Sequence, residues 1–280
     1  MRTRAGIILQ ARLGSSRLPG KALATVAGQT ILAHCLRRLM FAGVAPVVLA
    51  TTDRPEDQAL VDVARQLGAS EFRGDADDVL ARFVAAADAF GFESIIRATG
   101  DNPGTDIQAP GRLLAALRSA EADYVYEQGL PYGAAVEAVT FQALAQAARE
   151  ATEPDDREHV TTYVRRNSQL FRVVQLPAPA PLRRPDVRLT VDTTDDLAHV
   201  REIFERTGQD LPSLRQLIEA AGRGPAQASA ASPDEAGHYV DAAGLGPAQA
   251  GAASPAKAGH YAAGHNVVSA FRRTSRSEAA

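Results

Sequence analysis

The apolar positions of this chain recur in two alternating rhythms. Ile7, Ile8 and Leu9 form a continuous apolar run, the pattern of a strand buried on both faces. Ile31, Leu32, Cys35, Leu36 and Leu39 follow at helical spacing and predict an amphipathic helix packed back on the sheet. Pro46 to Ala50 reads as a second apolar strand, and Pro55, Glu56 and Asp57 suit the first turn of a helix running to about Leu67, where Gly68 ends it. Val79, Leu80, Phe83 and Val84 then present an inward helical face, and Ser94 to Thr99 reads as another buried strand. This alternation predicts a doubly wound α/β fold with a mainly parallel sheet.

From Asp123 the rhythm shortens. Tyr124 to Tyr126, Leu130 to Gly133 and Val136 to Val139 read as short strands and turns, and Thr140 is placed to cap a helix through Leu144 and Ala148. Val173 to Leu176 and Arg188 to Val191 are expected as two late strands, joined by the Pro-rich link from Pro177 to Pro185. Thr193 or Thr194, followed by Asp195 and Asp196, caps a helix through Val200, Ile203 and Phe204, and a last helix runs from Pro212 to about Ala221. Beyond Gly222 the composition shifts to Ala, Gly, Ser and Pro. The stretch from Gly224 to Tyr239 returns in part between Gly246 and Tyr261, with too few large apolar residues to offset chain entropy. The expected organisation is one domain over 1–222 and a duplicated, disordered, low-complexity tail over 223–280.

A chain of 280 residues with 45% hydrophobic content can build one large α/β core. A formal net charge of -3 offers no basic face for a polyanion, so no nucleic acid partner is expected. The single cysteine, Cys35, excludes an internal disulfide and suits a reducing cytoplasm. The N-terminus passes from Arg4 into a short strand and no long apolar run follows, so neither a signal peptide nor membrane insertion is expected.

The loop leaving the first strand carries the strongest chemical signal. Gly14 and Gly20 permit close backbone approach, Ser15 and Ser16 add hydroxyls, and Arg12, Arg17 and Lys21 add cations, which together suggest a triphosphate cradle. The spacing is not that of a P-loop, since five residues separate Gly14 from Gly20 and Ala22 follows Lys21, and no dinucleotide fingerprint follows the strand. Asp101, at the end of the Ser94–Thr99 strand, is placed to hold Mg²⁺, with a turn at Pro103 as its plain alternative; Asp106 reads as a helix cap. Capping by Thr193 or Thr194 leaves Asp192 free for metal. Asp77 and Asp78 read first as helix caps. His159 invites a general-base role because imidazole titrates near neutrality, but in a helix with Val160 and Tyr163 a satisfied structural role is favoured.

The stretch from Gln10 to Lys21 closely resembles the N-terminal motif of the sugar cytidylyltransferases, which activate acidic sugars as CMP-sugars. Its Gln10-Ala11-Arg12 opening is most similar to the spore-coat polysaccharide branch. The resemblance spans roughly residues 5 to 220. It extends to Gly74 with Asp78-Val79-Leu80, to Arg97 with Gly100-Asp101, Pro103 and Asp106, to Arg157-Glu158-His159-Val160-Thr161, and to Leu189 through Leu197.

The resemblance implies a Rossmann-like, three-layer α/β/α nucleotidyltransferase fold with a mainly parallel mixed sheet. It implies nucleotide contacts from Ala11, Arg12, Gly14, Ser15, Arg17 and Lys21, with Arg73 and Asp78 near the base, and Mg²⁺ on Asp101 and Asp192. It places Tyr132, Glu137, Arg157 and His159 toward the sugar, within an insertion at about 123–176 that also shapes a homodimer contact; Glu158 is available to order the loop through an arginine. The implied partners are CTP and a small acidic sugar, whose hydroxyl attacks the α-phosphorus as pyrophosphate leaves, with Arg12, Lys21, Asp101 and Asp192 carrying the catalysis. Asn102, Gly104 and Ala135 depart from common family residues. A sugar-1-phosphate nucleotidyltransferase using another nucleotide, and a nucleotide-binding module without turnover, are the alternatives.

Overall fold

The computed structural model describes residues 4–222, so the reading of 223–280 as a tail lies outside the described residues. Strand β1 (Arg4–Gln10) leads through a 3₁₀ turn and a small hairpin, β2 (Thr25–Val26) and β3 (Gln29–Thr30), into α1 (Ile31–Phe41). The alternation continues with β4 (Val47–Thr52), α2 (Gln58–Gln66), β5 (Ser70–Gly74), α3 (Val79–Ala89) and β6 (Phe92–Thr99). After α4 (Ala109–Ser119) come β7 (Tyr124–Gln128), β8 (Glu137–Thr140) and α5 (Phe141–Glu150). Two short helices, α6 (Pro154–Glu158) and α7 (Thr162–Arg166), precede β9 (Val173–Pro177), α8 (Thr194–Thr207) and α9 (Leu214–Ala221).

Seven strands form one sheet in the order β5-β4-β1-β6-β8-β7-β9. Only β8 runs antiparallel to its neighbours; the other pairings are parallel. The chain steps outward from β1 to β4 and β5, then returns to the other side of β1 with β6. The carboxyl ends of β1 and β6 therefore flank the switch point, where an open α/β sheet leaves a crevice.

Alternate residues of the central strands feed two cores. Ile7, Leu9 and Ile96 pack with the apolar faces of α1, α2, α4, α8 and α9, whereas Ile8 and Ile95 pack with α3, α5 and α7. All six residues of β4 are buried, as a strand covered on both faces requires. Local chemistry sets the helix starts: Thr30, Asp78 and Thr140 accept from Ala33, Ala81 and Ala143, and Thr193 and Ser213 form capping boxes with Asp196 and Gln216. This is the three-layer α/β/α arrangement expected from the sequence. Among the described residues no helix is long and apolar enough to cross a membrane.

Of the short strands and turns read over 124–139, Leu130 to Gly133 lies outside the sheet, and so does Arg188 to Val191, expected as a strand. Leu130 to Gly133 and Arg188 to Val191 run extended beside each other, joined by a single bridge between Tyr132 and Arg188. Gly133, at φ 88°, lies so close to Thr190 that a Cβ there would meet the Thr190 nitrogen at 2.5 Å, and regular pairing stops. The alternating Leu189 and Val191 bury into the α8 side core instead. His159 also departs from expectation: it is the C-cap of α6, in the break before α7, rather than a residue inside a helix.

Candidate active site

The loop after β1 is held by its own backbone and by α2's approach turn. Gly20 donates to the Leu13 carbonyl at 3.1 Å, and Leu13 donates to the buried carboxylate of Asp57 at 2.8 Å. Gly100 closes the other side: its N–H meets the Gln10 carbonyl at 2.8 Å, and a Cβ would lie 2.7 Å from that of Ala11. Between these strand ends opens a cleft of about 520 Å³. Arg12, Arg17, Lys21, Arg82, Arg97 and Arg165 line it, against the carboxylates of Asp101, Glu137, Glu158 and Asp192. The cations outnumber the acids, so the cleft favours an anionic occupant.

Lys21 stands at one end of this cleft. Its Nζ donates to Asp101 Oδ2 at 2.9 Å and to Asp192 Oδ1 at 2.7 Å, and its side chain is only 13% exposed. The two carboxylates come together because the 187–191 segment is pinned to two loops: Leu189 donates to the Tyr132 carbonyl, before β8, at 2.7 Å, and Val191 to the Asp101 carbonyl, after β6, at 2.9 Å. Asp192 also receives Arg17 and Arg188, each at 3.2 Å. Arg188 is oriented in turn by Asp196 at 2.6 Å and by the Tyr132 ring, 4.7 Å from its Cζ. Burial opposes the charge on Lys21, but the two carboxylates outweigh it and raise its pKa. Burial likewise raises Asp101, yet Lys21 offsets it and holds the carboxyl below its ordinary range.

The expected pairing of Asp101 with Asp192 is therefore present, with an ammonium between them. Among the described residues no three acids, histidines or cysteines gather as a metal cluster. The donor set nonetheless fits Mg²⁺, which takes one or two carboxylates and completes its shell with phosphate oxygens and water. Gly104 lets the 187–191 segment approach closely: a Cβ there would lie 2.8 Å from Leu189 Cβ. Asn102 donates to Thr99 Oγ1 at 2.7 Å and shapes the same turn, while Asp106 accepts from the Gln108 N–H at 3.1 Å just before α4.

The opposite wall belongs to α3, β8 and α7. Glu137 is buried and fully engaged, accepting from Arg97 at 2.9 Å, Thr161 at 2.8 Å and Tyr124 at 2.7 Å. Burial raises its carboxyl, but Arg97, Tyr124, Thr161 and the charge of Arg165 together hold it below the usual range. Glu137 thus acts in this wall as a buttress for Arg97. Arg12 reaches Glu158 at 3.1 Å and the Ala76 carbonyl at 3.2 Å, so Glu158 orders an arginine, as the sequence suggested. Arg82 is buried, donates to the Asp75 carbonyl, and has its basicity lowered by burial and by the like charge of Arg12.

The main cleft gathers Ala11, Arg12, Gly14, Ser15, Arg17, Lys21, Asp101, Tyr132, Glu137, His159 and Asp192 among the residues expected from the sequence. Three others lie elsewhere. Arg73 ties the strand ends together through the Thr52 and Arg54 carbonyls and Gln58. Asp78 caps α3 with one oxygen, as expected of a residue at that helix start, and receives Arg157 at 3.2 Å with the other. Asp78 and Arg157 line a separate shallow cavity that shares only Arg12 and Glu158 with the main cleft. Sequence reading gave no site role to Arg82, Arg97, Thr161 and Arg165, although Arg97 and Thr161 stand in the motifs that carry the resemblance. The i, i+4 spacing of Thr161 and Arg165 was the available signal, since it puts both on one helical face.

Comparison with known proteins agrees with this geometry. Residues 6–219 match the family model described as Cytidylyltransferase. The chain is 35% identical to the spore coat polysaccharide biosynthesis protein SpsF of Bacillus subtilis, over 81% of this chain and 98% of that one. It is 30% identical to the 3-deoxy-manno-octulosonate cytidylyltransferase of Methylibium petroleiphilum, over 74% and 97% respectively. Among solved structures it is similar to a cytidylyltransferase from Leptospira borgpetersenii, with a TM-score of 0.74 and 29% identity over 78% of this chain and 94% of that one.

Proposed function

From the premise that the chain belongs to the cytidylyltransferase family and is a nucleotidyltransferase, we propose that it transfers CMP from CTP to a hydroxyl of an acidic sugar, releasing pyrophosphate, to supply a surface polysaccharide or glycan. The observation that carries this reading is the convergence of Asp101 and Asp192 on one cation, at the strand ends beside the basic Gly14–Lys21 loop. We further propose that the protein works in the cytoplasm as a homodimer.

In this reading Arg12, Arg17 and Lys21 neutralise the triphosphate. Lys21 leaves its carboxylates for phosphate oxygens, an exchange of one anionic partner for another that keeps its charge compensated. Asp101 and Asp192 would then hold Mg²⁺, which supplies charge neutralisation at the phosphates and acidifies the attacking hydroxyl. Ser15 and the closely approaching backbone of the loop orient the nucleotide, and the Arg97–Glu137 wall faces the acceptor. His159 lines the cleft beside Asp155, at 3.4 Å, but the chemistry assigns it no obligatory proton transfer.

The direct test is pyrophosphate release with Mg²⁺, offering CTP, UTP, GTP and ATP in turn against 3-deoxy-keto acids, nonulosonic acids and sugar phosphates. Release with CTP and an acidic sugar is expected. Preference for another nucleotide with a sugar phosphate would replace this reading with a sugar-1-phosphate nucleotidyltransferase.

A further inference from the structure

The cations of the cleft are not equivalent. Arg12 holds Glu158, Arg17 and Lys21 hold Asp192, and Arg97 holds Glu137. Arg82 has a backbone carbonyl. Arg165 lines the same cleft, half-buried, and its side chain makes no hydrogen bond or ion pair among the described residues.

Its placement is fixed by the fold. Val160 and Val164 are fully buried in the core under α3 and α5, which sets the rotation of α7. Thr161 immediately precedes that helix, and its Oγ1 donates to Glu137 and not to the helix backbone. Arg165 sits one turn later, its N–H on the Thr161 carbonyl at 3.0 Å, so the two residues share the face turned to the Arg97–Glu137 wall. Two guanidiniums thus face one carboxylate, and that carboxylate is already held by Arg97, Thr161 and Tyr124. One positive charge is left over on this wall of the cleft. A guanidinium held there by the packing of its helix is suited to a planar or tetrahedral anion that arrives with the ligand.

We infer that Arg165 binds the anionic group of the acceptor, a sugar carboxylate or a sugar phosphate, and so selects charged over neutral acceptors. The inference rests on the proposed reaction for the identity of the occupant as an acceptor; the anion site itself follows from the charges on this wall. Arg165 is a specificity residue in this account, and Glu137 a positioning residue that keeps Arg97 beside it.

Calorimetric titration of the full chain and of Arg165→Gln, with and without CTP, tests this. The probes are 3-deoxy-manno-octulosonate, N-acetylneuraminate, galactose 1-phosphate and, as the neutral control, galactose. At least one anionic probe should bind the wild type and galactose should not, and Arg165→Gln should weaken that probe by about 10- to 100-fold, the range of one charge-assisted bond. Arg165→Lys should recover part of the loss. Tighter binding of the carboxylates than of the phosphate identifies the group as a carboxylate, and the reverse order identifies a phosphate. Equal binding by wild type and Arg165→Gln, or no anionic probe bound by the wild type, overturns the inference. CTP affinity is expected to be the same in both chains, which also reports intact folding. An anionic probe that binds through Arg165 while CTP binds neither chain would refute the cytidylyltransferase reading and leave the anion site standing.

Discussion

Lys21→Met removes the cation that Asp101 and Asp192 share and keeps most of the apolar stem. Asp192 retains Arg17 and Arg188, each at 3.2 Å, and Asp101 keeps its hydrogen bond with Thr99, so the two acids lose unequal shares. Two charge-assisted bonds disappear, each worth roughly 1.5–3 kcal/mol before the relief of no longer burying an ammonium is set against them. Asp101 is 28% exposed and is partly rehydrated. The net loss is expected to be about 2–3 kcal/mol at pH 7. The sign with pH follows from the depressed Asp101 carboxyl: its contribution is complete above the unfolded value near 4 and is lost as pH falls through the lower folded value. Urea unfolding of wild type and variant should therefore show a gap that narrows below about pH 4. The same variant should bind Mn²⁺ without nucleotide at least about tenfold more tightly than wild type, because nothing competes for the carboxylates. A stability gap under about 0.5 kcal/mol, or one that does not change with pH, refutes the energetic reasoning. Equal Mn²⁺ binding refutes the idea that Lys21 holds the metal position.

Glu137→Gln removes the carboxylate that Arg97 donates to at 2.9 Å inside the protein and should destabilise by about 3 kcal/mol in chemical denaturation at pH 7. The penalty should shrink in acid, where the wild-type carboxyl, lowered in the folded state, also protonates. Gly104→Ala pushes a methyl against Leu189 and should cost about 1–3 kcal/mol in a thermal melt. Combined with Leu189→Gly, which removes the Cβ, Cγ and Cδ1 that the new methyl would meet, the loss should be smaller than the sum of the two singles; strict additivity would mean that the contact is relieved elsewhere. Asp101→Asn should lower turnover at least about 100-fold in the pyrophosphate assay while CTP still binds in the presence of chelator. Retained turnover would remove Asp101 from the chemistry.

The order of strands and helices was legible because each central strand is a run of apolar residues and each helix carries an apolar stripe with a capping residue at its start. Arg188 to Val191 was misread for a physical reason: Leu189 and Val191 alternate with Arg188 and Thr190 as in a strand and bury into one core, but the segment meets its neighbour through a single bridge and not a ladder. The phosphate loop and the two aspartates were legible from residue type at strand ends. The location of Lys21 between them was not, since a side chain's partner depends on how the 187–191 segment docks on β6. Arg97, Arg165 and Glu137 illustrate the same limit. Their sequence positions announce charge, and only the antiparallel entry of β8 makes two of them a buried pair and leaves the third facing the cleft.

That reversed strand gives the molecule an unusual map of where change can be absorbed. The parallel strands β1 and β6 deliver their last residues to the cleft, so the segments that follow them carry the site. Strand β8 delivers its first, Glu137, and the turn into α5 at Thr140 lies at the far end of the sheet. For this one strand the chemically consequential loop is the one before it, residues 129–136, which includes Tyr132 and Gly133. Lengthening that loop would reshape what the protein accepts, whereas a few residues added between β8 and α5 would extend the opposite end of the molecule and leave its catalytic character untouched.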